Sequence, residues 1–166
     1  LDPPPARTHR TVAGAAGVGC EKAHLPPGTR PGGVGMNPPD GNTSTTAEPP
    51  IAMMFALARQ ISQADASTRA GKWEKNRFLG VELTGKTLGV IGCGNIGAIV
   101  ADRAIGRKMK VIAFDPVLSS ERAVELGVEK VELDDLLRRA DFITLHTPLT
   151  DKTKNIIDAA SLKKTK

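Results

Sequence analysis

The chain has 166 residues, a mass of 17.5 kDa, 40% hydrophobic and 25% charged residues and a net charge of +5, which is the size and composition of one soluble domain. Two cysteines cannot form a disulfide framework, so we expect a reducing compartment. The sequence contains no run of 18 apolar residues, which argues against a membrane span, and its start lacks the apolar core of a signal peptide, so we expect no export. Basic residues alternate with acidic ones, a pattern typical of a solvated surface rather than of a nucleic-acid interface.

The first fifty residues are rich in proline and glycine and poor in apolar side chains. They hold ten of the twelve prolines, eight of the seventeen glycines and no aromatic residue. Ordering the backbone costs about 1–2 kcal/mol per residue, which the few aliphatic side chains of this segment cannot offset. We therefore predict that residues 1–50 are poorly ordered and that the folded domain comprises residues 51–166.

A helix is predicted at the start of this domain. Apolar residues recur at three- and four-residue spacings over residues 51–66. We expect this helix to begin near Pro49 or Pro50, because proline is tolerated in the first turn of a helix but not in its interior. Residues 71–85 are predicted to form a polar connector.

Short apolar strands then alternate with helices. The predicted strands are residues 87–92, 110–115 and 141–146, and the predicted helices are residues 95–105, 119 or 120 to 126, and 134–140. This alternation is typical of a parallel, doubly wound sheet. The predicted fold is therefore an incomplete α/β domain of the Rossmann type, preceded by a poorly structured segment.

The strongest motif is the glycine-rich run Gly92-Cys93-Gly94-Asn95-Ile96-Gly97, which follows a predicted strand and opens a predicted helix. In this context Gly92 permits a tight turn, Gly94 lets the backbone approach a pyrophosphate and Gly97 lets the helix pack close to the strand. The helix N-terminus favours an anion, because its free N–H groups and positive dipole end point outward. The motif predicts dinucleotide binding.

Asp115 ends the second strand, 18 residues after Gly97. A carboxylate there accepts hydrogen bonds from the adenosine ribose and repels a 2′-phosphate, so NAD is favoured over NADP. A glycine turn that binds no nucleotide remains an alternative. A methyltransferase that binds S-adenosylmethionine is another, disfavoured by the three-glycine spacing.

Two further residues lie at this predicted site. Cys93 is either a small filler of the loop or a thiolate activated by the helix N-terminus, and the filler role is favoured. His146 ends the third strand at the carboxyl edge of the sheet, where an acid–base role stays open although no carboxylate partner can be placed beside it. The sequence predicts no metal site.

The motifs together resemble one enzyme family. The segments IAMMFALARQI, GKWEKNRFLGVELTGKTLGVIGCGNIG, KVIAFDP and DFITLHTPLTDKT make residues 51–166 similar to the D-2-hydroxyacid dehydrogenases, and most to those that oxidise 3-phosphoglycerate. The resemblance implies NAD as cofactor, serine biosynthesis in the cytoplasm, a homo-oligomer with a subunit contact around residues 51–73, and no nucleic-acid or membrane partner. It also implies that Gly94, Asn95, Ile96 and Asp115 contact NAD and that the loop His146-Thr147-Pro148 lines the same cleft.

The departures from the family set the limits of the resemblance. In residues 15–24 the family's arginine, asparagine and two aspartates are replaced, although Gly17 and Gly19 remain. Residues 1–50 therefore resemble an altered remnant of the substrate domain. The family's catalytic arginine, glutamate and histidine come from segments after the last predicted strand, so no residue of this sequence is predicted to be catalytic. The alternatives are a non-catalytic NAD-binding module, or the cofactor domain of a related glyoxylate or hydroxypyruvate reductase.

Overall fold

The computed structural model describes residues 12–14, 34–36 and 42–166. The chain divides into two compact units, Leu1–Ser44 and Thr45–Lys166. In the first unit, strands β1 (Val12–Gly14) and β2 (Val34–Met36) pair in parallel. The prediction that residues 1–50 are poorly ordered falls mainly outside the described residues, and the division of the chain after residue 50 stays a prediction.

Helix α1 spans Thr43–Ala58 and begins before its two prolines. The expectation that the helix starts near Pro49 or Pro50 is therefore wrong. Ala47, ahead of the prolines, is only 1% exposed and belongs to the same buried cluster as Ala58. Burial of this face holds the first turns of α1 in helical geometry, although the prolines lack the N–H groups that a helix interior normally uses.

The predicted single helix over residues 51–66 is divided into two. Helix α2 (Ile61–Arg69) begins after Gln60, whose φ of 52° is left-handed. The carbonyl oxygen of Ala58 accepts a hydrogen bond from Val81 N at 2.8 Å, and this bond ties the end of α1 to the following connector. The connector contains one short 3-10 helix, Lys75–Phe78, and is otherwise irregular, as predicted.

A sheet of four parallel strands forms the centre of the second unit. Its strands are β3 (Thr87–Ile91), β4 (Lys110–Phe114), β5 (Glu129–Lys130) and β6 (Phe142–Leu145). They lie in the order β5-β4-β3-β6, and every neighbouring pair is parallel. The predicted parallel, doubly wound sheet is confirmed. Strand β5 was not predicted from the sequence, because its two residues are exposed and give no hydrophobic signal.

Helices cover both faces of this sheet. They are α3 (Asn95–Gly106), α4 (Ser120–Glu125) and α5 (Leu133–Arg139), and the short helix α6 (Ala159–Leu162) packs against α5. Val90 of β3 belongs to a buried cluster with Val100 of α3, whereas the next residue, Ile91, belongs to a second cluster with Leu136 of α5. Successive strand residues therefore face different helices, as a doubly wound fold requires. Within the described residues, no helix is long and apolar enough to cross a membrane.

Candidate cofactor-binding site

The glycine loop connects β3 to α3, and two of its glycines are required by backbone geometry. Gly92 has a φ of 89°, and a side chain there would meet Thr147 Cγ2 at 2.8 Å and the backbone carbonyl of His146 at 2.9 Å. A side chain at Gly97 would overlap the carbonyl oxygen of Gly92. These are the backbone roles that the sequence predicted, a tight turn at Gly92 and close packing of the helix at Gly97.

The N-terminus of α3 opens directly above this loop. Gly94 is the N-cap residue, and its carbonyl oxygen accepts the first helical hydrogen bond, from Ala98 N at 2.8 Å. The N–H groups of residues 95–97 precede that bond and point out of the helix end. Among the described residues, a Cβ atom at Gly94 would have no neighbour within 4 Å. The helix end therefore faces open space and carries the partial positive charge that attracts an anion.

A second loop lies beside the glycine loop. His146 N donates a hydrogen bond to Ile91 O at 2.8 Å, which brings His146 and Thr147 next to Gly92. Because β4 and β6 flank β3 on opposite sides, the two loops meet where the strand order reverses. In open α/β sheets this is the crevice where ligands bind.

The imidazole of His146 is half-buried in this crevice. Its Nε2 lies 2.9 Å from Thr144 Oγ1, so the hydrogen-bond partner is a hydroxyl rather than a carboxylate. Burial lowers the pKa of His146 below its ordinary value, because the charged imidazolium loses hydration there. The neutral ring is therefore the favoured form at neutral pH.

Asp115 follows β4 and contacts the glycine loop. Its Oδ2 accepts a hydrogen bond from Cys93 N at 2.8 Å, and its Oδ1 accepts one from Val117 N at 2.9 Å. The sequence placed Asp115 near the predicted cofactor but did not reveal the bond to Cys93, since the two residues are 22 positions apart. The structure therefore brings the carboxylate and the glycine loop together.

The Cys93 side chain is buried, with an exposed fraction of 7%. Burial, and after it the charge of Asp115, raises the pKa of the thiol above its ordinary value. A raised pKa favours the protonated thiol, which is a poor nucleophile. This favours the filler role for Cys93 over that of an activated thiolate.

These groups fit a dinucleotide. The outward N–H groups of α3 suit an anionic pyrophosphate, the open space at Gly94 allows close approach of the backbone, and the carboxylate of Asp115 suits neutral ribose hydroxyls. Among the described residues, no group of three or more histidine, cysteine, aspartate or glutamate side chains is placed to hold a metal ion.

Comparison with known proteins identifies the family. Residues 51–166 match the family model described as D-isomer specific 2-hydroxyacid dehydrogenase, NAD binding domain. The chain is 48% identical over 155 residues to the D-3-phosphoglycerate dehydrogenase of Synechocystis sp., which covers 93% of this chain and 28% of that protein. The chain thus spans little more than a quarter of the length of that relative.

Solved structures of the family share the fold. The apo-structure of D-lactate dehydrogenase from Escherichia coli matches with a TM-score of 0.77 at 33% identity, over 93% of this chain and 49% of that one. D-lactate dehydrogenase from Aquifex aeolicus complexed with NAD and lactic acid matches with a TM-score of 0.74 at 28% identity, over 93% and 46%. The predicted family and the predicted cofactor, NAD, are confirmed. The chain belongs to the D-isomer specific 2-hydroxyacid dehydrogenases, and residues 51–166 are their NAD binding domain.

Proposed function

We propose that this chain is the cofactor-binding part of an enzyme that oxidises 3-phosphoglycerate to 3-phosphohydroxypyruvate with NAD, an entry step of serine biosynthesis. The observation that carries the cofactor role is the convergence of the glycine loop, Asp115 and the 146–148 loop at one edge of the sheet. The choice of substrate rests on the 48% identity to the D-3-phosphoglycerate dehydrogenase of Synechocystis sp..

In this proposal each part of the site has its own task. The N–H groups of Asn95 and Ile96 at the end of α3, together with the bare backbone of Gly94, hold the pyrophosphate. Gly92 and Gly97 keep the loop and helix close enough to the sheet for that contact. The bound nicotinamide supplies the hydride acceptor of the reaction.

The remaining residues line two opposite walls of the cofactor cleft. Asp115 accepts hydrogen bonds from the adenosine ribose, and its negative charge excludes a 2′-phosphate, so NAD is preferred to NADP. His146, Thr147 and Pro148 line the opposite wall of the crevice, where the neutral imidazole of His146 adds no charge beside the cofactor.

We also propose self-association through the region of α1 and α2. Met53, Leu57 and Ile61 are exposed apolar residues at four-residue intervals, and Leu57 is 71% exposed. Large exposed apolar side chains at neighbouring positions are typical of protein interfaces. A second copy of the chain is the proposed partner.

We place the enzyme in the cytoplasm, where the free thiol of Cys93 is kept reduced.

A second candidate function is an NAD-binding module without catalysis of its own. It is favoured because the family match is to the NAD binding domain, whose part in the reaction is to bind the cofactor. Under either proposal the chain alone binds NAD and shows no turnover of 3-phosphoglycerate.

Domain exchange tests the substrate assignment. Residues 51–166 would replace the matching segment in the D-3-phosphoglycerate dehydrogenase of Synechocystis sp. and, separately, in D-lactate dehydrogenase from Escherichia coli. We expect NAD-dependent oxidation of 3-phosphoglycerate by the first chimera and little D-lactate oxidation by the second. An inactive first chimera that folds and binds NAD would favour the non-catalytic module, and a lactate chimera as active as the first would show that residues 51–166 carry no preference for the phosphoglycerate enzymes.

A further inference from the structure

The carboxylate of Asp115 is engaged by the protein's own backbone. Oδ2 accepts from Cys93 N at 2.8 Å and Oδ1 accepts from Val117 N at 2.9 Å. A carboxylate offers about four lone-pair positions, two on each oxygen. One position on each oxygen therefore remains for further donors, which is the number needed for a ribose diol.

The bond to Cys93 fastens a loop that has few other attachments. Gly92 N donates to Phe114 O at 2.9 Å, and Cys93 N donates to Asp115 Oδ2, so two successive N–H groups of the loop bind the end of β4. The first bond joins two backbone groups and does not depend on the side chain at position 115. The second depends entirely on the side chain at position 115.

We propose that Asp115 is a positioning residue for the glycine loop, and that it holds the Cys93 N–H in place before any cofactor binds. This extends the proposed function of the same site. The carboxylate orients the loop so that the following N–H groups face the pyrophosphate. A loop that is already ordered loses less conformational entropy on binding, which strengthens binding without adding a contact.

The isosteric substitution Asp115→Asn changes the hydrogen bonding of this side chain while keeping its volume. An amide has a single acceptor oxygen, so its NH₂ group faces a backbone N–H donor at one of the two positions. Asp141→Asn is a matched control, because Asp141 Oδ2 accepts from Thr87 N at 2.8 Å at the opposite end of β3. Each substitution therefore alters a carboxylate that accepts a hydrogen bond from a backbone N–H, but the two carboxylates lie at opposite ends of β3.

Amide hydrogen exchange on protein labelled with ¹⁵N-cysteine measures the bond directly. The chain has two cysteines, so the spectrum has two amide signals, and Cys20→Ser identifies that of Cys93. Without NAD, we expect the Cys93 amide to exchange at least tenfold faster in Asp115→Asn than in wild type, and its proton resonance to move upfield. Asp141→Asn should leave both values unchanged, with circular dichroism confirming that each variant is folded.

Two results would overturn the proposal. One is equal Cys93 exchange in wild type and Asp115→Ala, because alanine leaves the Cys93 N–H without its side-chain acceptor. The other needs no variant: a Cys93 amide that exchanges at the unprotected rate in wild type shows that no bond exists. Addition of NAD to wild type should preserve or increase the protection, and a loss would show that ribose displaces the loop. Absence of NAD binding would contradict the proposed function while the exchange data still decide the positioning role.

Discussion

Gly97 packs so close to the carbonyl oxygen of Gly92 that it leaves no room for a Cβ atom, and the first turn of α3 thereby contacts the loop that precedes it. A methyl group at position 97 would overlap this oxygen and would also lie 3.4 Å from Val90 Cγ1. The principal obstacle is backbone rather than a flexible side chain. Space can therefore be made only by moving α3 or the loop away from β3.

Gly97→Ala should destabilise the fold. Overpacking of a tightly packed position costs about 1–3 kcal/mol, and we expect a loss of this size in the free energy of unfolding measured with urea. The matched control is Gly106→Ala, at the other end of α3, where the added methyl has no atom of the described residues within 4 Å. This variant should be neutral or stabilising by up to about 0.5–1 kcal/mol. Equal stability of the two variants would show that the contact is not restrictive.

Gly94→Ala should weaken NAD binding without weakening the fold. Gly94 has a φ of −72°, which alanine adopts freely, and in the described part of the chain the added methyl meets no atom within 4 Å. The methyl would instead occupy the space through which the pyrophosphate approaches α3. We expect an unchanged unfolding midpoint and at least a tenfold loss of NAD affinity by titration calorimetry. Unchanged affinity would remove Gly94 from the site.

Asp115→Ala should change the choice between the two dinucleotides. Removing hydrogen bonds to a charged acceptor costs about 1.5–3 kcal/mol, which corresponds to roughly a tenfold to hundredfold loss of NAD affinity. Loosening of the glycine loop affects NAD and NADP alike, so the ratio of their affinities is the informative quantity. We expect that ratio to fall toward one. The control is Asp102→Ala, at an exposed position on α3. If the ratio of NAD affinity to NADP affinity is as high in Asp115→Ala as in this control, Asp115 does not select NAD over NADP.

The half-buried His146 should make stability depend on pH. Its folded-state pKa is lowered by burial, so between that value and the ordinary pKa of about 6.5 the unfolded chain binds more protons than the folded one. The contribution to stability is therefore complete above about pH 6.5 and is lost as the pH falls through the folded pKa. Urea unfolding at pH 7.5 and 5.5 should show a larger acid loss for wild type than for His146→Asn. If wild type and His146→Asn lose the same free energy of unfolding between these pH values, the imidazole is fully hydrated in the folded protein.

Leu57→Glu should prevent the proposed self-association. Charge at the centre of an apolar contact is costly because it must be desolvated. We expect light scattering coupled to size-exclusion chromatography to report the wild type as an oligomer and Leu57→Glu as a monomer. Val124→Glu, at an exposed apolar residue of α4 outside this region, introduces the same charge and should leave the assembly intact. A wild type that is already monomeric at high concentration would contradict the proposal.

Local signals in the chain were sufficient for the central elements and the chemistry of the loop. Apolar runs predicted β3, β4 and β6 to within a residue or two, because each is a short buried segment bounded by residues that end strands. The glycine spacing predicted the turn at Gly92 and the close packing at Gly97, since both follow from backbone sterics within six residues.

Contacts between distant residues settled the remainder. Helix α1 extends across its prolines because Ala47 is buried against the core, and it ends at Ala58, where Val81 N, far along the chain, binds its carbonyl. The hydrogen bond from Cys93 N to Asp115 has the same character. Periodicity and propensity act over a few residues, whereas burial and hydrogen bonding depend on which strands become neighbours, so these features arise only when the sheet assembles.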